Sequence, residues 1–322
     1  MKKIAVLAAN MYDWSHGTLY TQCFHPLTAA QAVEENLLWL DGPPVPGVEV
    51  AAIWSPDPQR SKKLAKLFGI ADVLDHPEEA VGGVDGVICS DDGFPPGDVF
   101  AEDSGMMRGA DWAEPYILAG TPVFLDKPLA RTASQAEKVL NLAIQNHTLL
   151  YCASGIAHTM LVDEMLRDAG RLGPLKSVFA SGPLGALIFY GQHIYEPVWR
   201  VFGGGVKWVQ NLGWERHHVL HLGYEDGRSV VLKCLGDAAY QFDFILYGEQ
   251  EVKHYCLPAD AWDFKVQLNH KRVAQKFAHM LDTGEMPYTY AEMHEINKVL
   301  TYGQASLDQD GRRIYLDEPA PN

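Results

Sequence analysis

The sequence predicts an α/β protein in two parts. The first half alternates short apolar, β-prone runs with helical segments, which is typical of a parallel sheet with right-handed crossovers. The second half is dominated by strand-like runs, and Glu225-Asp226-Gly227-Arg228 between two of them is a hairpin signal. We therefore expect an α+β domain with a largely antiparallel open sheet there. With 322 residues, of which 47% are hydrophobic, the chain can form two packed domains, which we place at 1–153 and 154–322.

The elements follow from the hydrophobic pattern and the turn residues. In the first half, strands are predicted at 3–8, 48–54, 86–90, 123–125 and 149–153, with a short edge strand or loop at 72–75. Helical segments are predicted between them at 18–24, 28–40, 59–68, 76–81, 111–118 and 134–146. In the second half we predict a helix at 160–168, strands at 175–181, 206–212, 217–224, 229–235, 241–247, 252–256 and 312–316, and closing helices at 265–283 and 290–308.

Composition excludes several classes of function. The net charge of −15 at pH 7 argues against binding to nucleic acid or to anionic membrane surfaces. No apolar run is long enough to span a bilayer, and the apolar run near the N-terminus is too short for a signal peptide. The five cysteines are odd in number and scattered, without a CxxC pair, so we expect a reducing, cytoplasmic environment.

The stretch 120–130 carries the first candidate site residue. Its apolar run is expected to form a buried strand that ends at Asp126-Lys127-Pro128. A proline directly after a strand cannot extend the ladder and holds the preceding residue extended. Lys127 should therefore lie at the carboxyl edge of the sheet, where ligands bind in open α/β folds. The alternative is a lysine that only caps the sheet edge.

Four stretches, by their order and spacing, resemble the Gfo/Idh/MocA oxidoreductase family nearly from end to end. They are 50–58, 120–130, 166–178 and 302–316, and Asp126 stands where the family's Glu-Lys-Pro-Leu-Ala motif has Glu. The resemblance implies a Rossmann-like NAD(P)-binding domain followed by a domain whose open sheet covers the active site or forms an oligomer interface. It also implies hydride transfer between NAD(P) and a hydroxyl carbon of a sugar, cyclitol or related polyol, in a homodimer or homotetramer.

The resemblance also implies catalytic residues. Lys127 would contact both the substrate and the nicotinamide. His193 matches the proton-accepting His of the family's Asp-x-x-x-His motif, although Phe189 replaces its Asp. An imidazole suits removal of an alcohol proton, and an ammonium group stabilises the developing alkoxide. Tyr190 is a second candidate for the proton path, and a buried histidine with only a structural hydrogen bond is the alternative for His193.

The cofactor-binding residues implied by position lie at the strand ends. They are Ala9, Asn10, Ser15, His16, Ser55, Ser90, Asp91, Asp126 and Lys127. The first loop departs from G-x-G-x-x-G, since only Gly17 is a glycine and Asp13 would lie near the diphosphate. The acidic residue that would bind the adenosine ribose is replaced by Ser55, which slightly favours NADP over NAD because basic residues follow it.

Two other classes of function stay open. The glycine-poor loop and Phe189 fit a ligand-binding or regulatory member of the fold that does not turn its ligand over. A lyase or hydrolase that uses a nicotinamide transiently is the second alternative. His217 and His221 would share one face of a strand, with His218 on the other, but the sequence dictates no third ligand and so predicts no metal site.

Overall fold

The fold is seen in a computed structural model that describes residues 1–7, 15–90, 108–258 and 262–319. For 262–268 it describes the backbone only. The predicted residues Ala9, Asn10 and Asp91 lie outside the described ranges.

The first half forms a parallel sheet, as predicted. Its strands are β1 (Lys2–Leu7), β2 (Val48–Trp54), β3 (Asp72–Val73), β4 (Gly86–Cys89), β5 (Val123–Asp126) and β6 (Leu150–Ala153). Their order is β3-β2-β1-β4-β5-β6. The associated helices are α1 (His16–Phe24), α2 (Ala29–Glu34), α3 (Pro58–Phe68), α4 (Gly109–Leu118) and α5 (Ala133–Gln145), with a 3₁₀ turn at Pro77–Ala80. In such a sheet the strand order reverses between β1 and β4, and ligands bind beyond the carboxyl ends of the strands there.

The helix predicted at 28–40 is shorter than expected. Thr28 caps α2 through a capping box with Gln31, and the helix ends at Glu34. Asn36 then adopts a left-handed conformation with φ of 53°, and the Leu37 N–H donates to the Ala32 carbonyl at 2.8 Å. A left-handed residue with a bond back over the last turn is a common helix terminator. The apolar residues beyond it, which suggested a continued helix, instead pack as an irregular segment.

The second half forms a mixed, mostly antiparallel sheet. Its elements are α6 (Met160–Leu172), β7 (Leu175–Pro183), α7 (Leu187–Phe202), β8 (Val206–Asn211), β9 (His217–Tyr224), β10 (Ser229–Leu235), β11 (Gln241–Gly248), β12 (Val252–Pro258), α8 (Trp262–Thr283), α9 (Tyr290–Asp308) and β13 (Ile314–Tyr315). The strand order is β12-β11-β7-β10-β9-β8-β13, and β7 and β10 are paired parallel. Alternate residues of each strand are buried against the helices, which gives this sheet one covered face.

Helix α7 packs tightly between this sheet and α9. A Cβ on Gly182 of β7 would lie 2.7 Å from Ile194, and a Cβ on Gly191 would lie 2.9 Å from both Leu187 and Leu300. A side chain at either glycine would force these neighbours to shift. The close packing fixes the position of α7 and of the residues that it presents.

Helix α8 returns to the first sheet. A Cβ on Gly86 of β4 would lie 2.7 Å from Leu281 and 3.1 Å from Phe277, so the helix lies directly against that strand. Val273, Phe277 and Met280 are fully buried in the same core. The C-terminal region thus contributes to the first hydrophobic core, and the boundary at 153 stays a prediction. None of the described helices combines the length and the apolar character that crossing a bilayer requires.

Candidate active site

Lys127 occupies the position that the sequence indicated. It follows β5 directly, at the carboxyl edge of the parallel sheet, and its peptide bond to Pro128 is cis. The side chain is only 2% exposed. A buried ammonium group requires nearby compensation, and the compensation comes from two directions, a carboxylate and an aromatic ring.

The carboxylate is that of Asp126, the last residue of β5. Its Oδ2 lies 2.6 Å from Nδ1 of His16, the first residue of α1. Burial raises the pKa of the Asp126 carboxyl, but His16, Lys127 and His270 together outweigh burial and hold this pKa below its usual value. Asp126 is therefore ionised at neutral pH and supplies negative charge beside Lys127.

The aromatic ring belongs to Phe189, in the first turn of α7. Nζ of Lys127 lies 3.2 Å from the centre of this ring and 5.7 Å from that of Tyr190. An ammonium group over a ring face is attracted by its quadrupole, more strongly when water is excluded. Phe189 is 7% exposed, so this contact is desolvated.

His193 lies one turn further along α7, beside the same ring system. Its imidazole packs edge-on against Tyr190 with 4.8 Å between ring centres. Burial, then Lys127, His16 and His270, hold the pKa of His193 well below its ordinary value. His193 is therefore neutral at physiological pH, as a proton acceptor must be.

Tyr190 is hydrogen-bonded to a second tyrosine. Its hydroxyl forms a short hydrogen bond with that of Tyr240. Burial raises the pKa of the Tyr190 phenol, and the bond to Tyr240 only partly offsets this effect. Tyr190 therefore stays protonated at neutral pH. The structure thus brings together all three predicted catalytic residues, Lys127, His193 and Tyr190.

Ser154, which directly follows β6, orients His193. Its Oγ lies 2.6 Å from Nδ1 of His193 and accepts a hydrogen bond from the Ile156 N–H at 3.2 Å. The imidazole tautomer with its proton on Nδ1 donates to Ser154 and leaves the Nε2 lone pair free to accept a proton. Which tautomer is present depends on the hydroxyl orientation.

A buried carboxyl group holds Ser154 in place. Glu196 is fully buried on α7, and its Oε2 accepts from the Ser154 N–H at 2.7 Å and from Gln192 Nε2 at 2.9 Å. Its Oε1 accepts from the Tyr288 hydroxyl at 3.0 Å. Burial raises the pKa of Glu196 to about 7, even though these three donors lower it. Glu196, with a pKa near neutrality, is thus connected to His193 through one intervening residue, Ser154.

Three of the residues predicted to bind the cofactor lie at the ends of helices and strands of the first half. Ser15 caps α1, Ser55 follows β2 and accepts from the Asp57 N–H at 3.3 Å, and Ser90 follows β4. The Ser90 hydroxyl is buried and has no hydrogen-bond partner within the described residues, and the same holds for both amide atoms of Asn269 on α8. Buried polar groups normally have partners. These orphaned groups and the helix N-terminus beside them fit a polar ligand with phosphate and amide groups, as a nicotinamide dinucleotide has.

Two histidines of β9 lie on opposite faces of the strand and have partners of other kinds. His218 is buried, with Nδ1 3.0 Å from the Asn211 amide and Nε2 3.0 Å from the Gly185 carbonyl, while His221 packs against Trp208 on the opposite face. Over the described part of the chain, no three His, Cys, Asp or Glu side chains are placed to share a metal ion.

Ser154, Glu196, Tyr240 and Asn269 were missed by the sequence analysis. A signal existed for Ser154, because it follows a predicted strand just as Ser55 and Ser90 do. Glu196 lies three residues after His193 and therefore near the same face of α7. Tyr240 and Asn269 carry no local signal, since only the tertiary fold brings them to the site.

The comparisons with known proteins agree with this architecture. Residues 27–154 match the model of the Gfo/Idh/MocA family, described as an oxidoreductase family with an NAD-binding Rossmann fold. The dTDP-3,4-didehydro-2,6-dideoxy-alpha-D-glucose 3-reductase of Streptomyces antibioticus is 32% identical over 143 residues. That match covers 42% of this chain and only 38% of the reductase.

Solved structures resemble the whole chain. Scyllo-inositol dehydrogenase of Lactobacillus casei, with bound NAD(H) and scyllo-inositol, superposes with a TM-score of 0.73 at 12% identity, covering 99% of this chain and 100% of that one. Myo-inositol 2-dehydrogenase of Lactobacillus plantarum gives 0.75 at 10% identity, covering 98% and 99%. GenD2 from gentamicin A biosynthesis, in complex with NAD, gives 0.74 at 15% identity, covering 98% and 97%. The chain has the fold of these proteins, and its segment 27–154 is similar to the NAD-binding Rossmann domain of the Gfo/Idh/MocA oxidoreductase family.

Proposed function

We propose that this protein is an NAD(P)-dependent oxidoreductase that transfers a hydride to or from a hydroxyl carbon of a sugar, cyclitol or related polyol. The observation that carries the proposal is the buried group of Lys127, His193 and Tyr190 at the carboxyl edge of the parallel sheet. The group combines a cation, a neutral imidazole and a protonated phenol. Oxidation of an alcohol requires a proton acceptor, because the hydroxyl proton must leave together with the hydride, and a nearby cation stabilises the oxygen as it loses that proton.

Each residue has a distinct role in this proposal. His193 accepts the hydroxyl proton at Nε2 during oxidation and returns it during reduction, while Ser154 holds the other ring nitrogen. Lys127 stabilises negative charge that develops on the substrate oxygen. Tyr190 donates a hydrogen bond or relays the proton toward Tyr240. The low pKa of His193 keeps it in the accepting form at neutral pH.

The cofactor would lie across the switch point between β1 and β4. When bound, the nicotinamide supplies the hydride-accepting carbon. The N-terminus of α1, with Ser15 and His16, would face the diphosphate, and Ser90 and Asn269 would provide hydrogen bonds that the protein itself does not satisfy. Asp126 keeps His16 in place for this role.

The choice between NAD and NADP depends on the end of β2. Ser55 carries no charge that would repel a 2′-phosphate, and Lys62 of α3 is exposed nearby. Two other basic residues are already paired, Arg60 with Asp57 at 3.4 Å and Lys63 with Glu35 at 2.6 Å. We therefore infer that both cofactors bind and that NADP is favoured only slightly.

A second copy of the chain is the partner that the outer face of the second sheet fits. Phe179, Val231 and Ile245 lie side by side on β7, β10 and β11 and are only partly buried. An apolar row across three strands of an open sheet is a usual association surface. Light scattering on purified protein tests this inference, and a monomer at micromolar concentration would contradict it.

Two measurements in sequence test the proposed activity. Protein stripped of nucleotide is first titrated with NADH and NADPH by calorimetry, and saturable binding of either is expected. Absorbance at the reduced-nicotinamide band is then followed with a panel of sugars and cyclitols. Absence of binding for both nucleotides would refute the proposal, and so would binding without any hydride transfer across the panel.

The second outcome would support a non-catalytic ligand-binding protein. The observation that favours this alternative is the contact between Lys127 and Phe189, which occupies one face of the ammonium group with an aromatic ring instead of a carboxylate. Ligand binding detected by thermal shift, without change in nicotinamide absorbance, would establish it. Disappearance of substrate at constant absorbance would instead indicate a lyase or hydrolase.

A further inference from the structure

A cationic pocket lies away from the candidate active site, between α6, α7 and α8. Its volume is about 600 Å³, within the range of small-molecule sites. Arg200, Arg272 and Lys276 line it together with His158, and the acidic side chains on its wall are Asp163 and Glu285. It is a local concentration of positive charge on a chain whose net charge is −15.

The two arginines are held in place by the backbone. Arg200 donates to the Ala157 carbonyl, and Arg272 donates to the His158 carbonyl at 3.0 Å. Arg272 also pairs with Asp163 at 2.6 Å, which neutralises that carboxylate. Guanidinium groups fixed in this way lose little side-chain entropy when they bind a further acceptor.

Lys276 supplies a positive charge that Asp163 offsets only in part. It lies one turn after Arg272 on α8, so both side chains share a helix face. It is partly buried and makes no hydrogen bond or ion pair with any residue in the described ranges. Burial and then Arg200 lower the pKa of Lys276, Asp163 opposes them by a smaller amount, and Arg272 lowers it slightly further. The pocket therefore holds mutually repelling cations that an anion would stabilise.

His158 separates this pocket from the candidate active site. Its Nε2 lies 3.0 Å from the Tyr151 hydroxyl, and its ring stacks on Tyr288 with 6.2 Å between centres. Tyr288 in turn donates to Glu196. A layer of buried aromatic side chains thus lies between the pocket and His193, so the pocket is a site of its own.

We propose that this pocket binds a phosphate group, either free or carried on a small phosphate monoester. Arginine and lysine are the usual ligands of phosphate, with guanidinium groups giving paired hydrogen bonds and the ammonium a point charge. Three cationic side chains suit a dianion better than a single carboxylate. The remaining volume accommodates the organic part of a monoester. This site does not depend on the proposed dehydrogenase activity.

Calorimetric titration of the full chain at constant ionic strength tests the proposal. The probes are inorganic phosphate and glucose 6-phosphate, with sodium chloride as the charge control. Wild-type protein should bind a phosphate probe saturably, and Lys276→Gln should weaken binding by roughly tenfold or more, the value of one charge-assisted hydrogen bond. Lys276→Arg should retain most of the affinity. Lys207→Gln, at an exposed lysine of β8, is the matched control and should change nothing.

The outcomes separate the alternatives. Tighter binding of the sugar phosphate than of phosphate identifies a monoester site, and equal affinity identifies a site for free phosphate. No saturable binding to wild-type protein would overturn the proposal. Equal weakening by Lys276→Gln and Lys207→Gln would also overturn it, because diffuse surface charge would then explain the binding. Circular dichroism of each variant confirms that the fold is retained.

Discussion

The buried carboxyl of Glu196 predicts a pH-dependent change in the free energy of unfolding, and the structure gives its magnitude. The Glu196 side chain is fully buried, accepts three hydrogen bonds, and has a pKa raised to about 7 from the ordinary 4.5. Replacing it with glutamine in Glu196→Gln keeps the shape and removes the titration. The amide oxygen can still accept from the Ser154 N–H, and the Tyr288 hydroxyl can reorient to accept from the new amide nitrogen.

The magnitude and the sign follow from proton linkage. Below pH 4.5 the carboxyl is protonated in both the folded and the unfolded chain, so it contributes no pH dependence. Between pH 4.5 and about 7 the folded protein retains a proton that the unfolded chain has released, and stability falls as the pH rises. The shift corresponds to about 3 kcal/mol, at about 1.4 kcal/mol for each pH unit. The wild type should lose this stability progressively as the pH rises to about 7 and show no further loss above it, whereas the variant should not lose it.

Urea unfolding of both proteins at several values between pH 5 and pH 8.5 measures the effect. The free energy of unfolding of Glu196→Gln, relative to wild type, should rise by about 3 kcal/mol across this range. Infrared difference spectra should also show a protonated carboxyl band in the wild type that disappears near pH 7 and is absent from the variant. A stability difference that stays constant from pH 5 to pH 8.5 would refute the reasoning.

Three further predictions concern catalysis, cofactor choice and packing. Lys127→Ala should reduce hydride transfer by about 10²–10³-fold with an unchanged circular dichroism spectrum, and unchanged turnover or a collapsed fold would remove the catalytic argument. Asp57→Asn, which keeps a capping side chain on α3, should raise the affinity for NADPH relative to NADH roughly two- to fivefold in a calorimetric titration; an unchanged ratio would show that this carboxylate does not face the 2′-phosphate. Gly191→Ala should lower the free energy of unfolding by about 1–3 kcal/mol, because its Cβ would lie 2.9 Å from Leu187. Gly170→Ala is the control for this loss, since a Cβ there meets nothing within 4 Å and should stabilise α6 slightly.

Features encoded locally could be predicted from the sequence. The apolar runs predicted the strands of the first sheet because burial on both faces of a parallel strand requires a continuous apolar segment. Pro128 directly after β5 was sufficient to place Lys127 at the sheet edge. The predicted end of α2 was wrong because the sequence beyond Glu34 remains rich in apolar residues. The left-handed conformation of Asn36, which ends the helix, leaves no signal in the sequence stronger than that hydrophobic pattern.

Most of the environment of the site could not be predicted, since it is built from distant parts of the chain. Asn269 and His270 reach the first sheet only because α8 returns to it from the C-terminal region. The pKa of Glu196 depends on complete burial and on a donor from Tyr288, 92 residues further along the chain. A single sequence shows which side chains can carry charge, but which of them lose contact with water is decided by tertiary packing.

The surroundings of Phe189 bear on a departure from the family's motif whose consequence the sequence left open. An aspartate at this position would orient the histidine or a substrate hydroxyl. Its loss left three possibilities open: His193 acts alone, Tyr190 supplies the proton, or the protein binds a ligand without turning it over. In the fold, Ser154 provides the hydrogen bond to Nδ1, and Glu196 fixes the peptide of Ser154. Asp126 already supplies the negative charge that Lys127 needs. Phe189 covers the ammonium group with an apolar ring and keeps water from that side of it. In the proposed oxidoreductase, this lower local polarity would strengthen the attraction between Lys127 and a developing alkoxide.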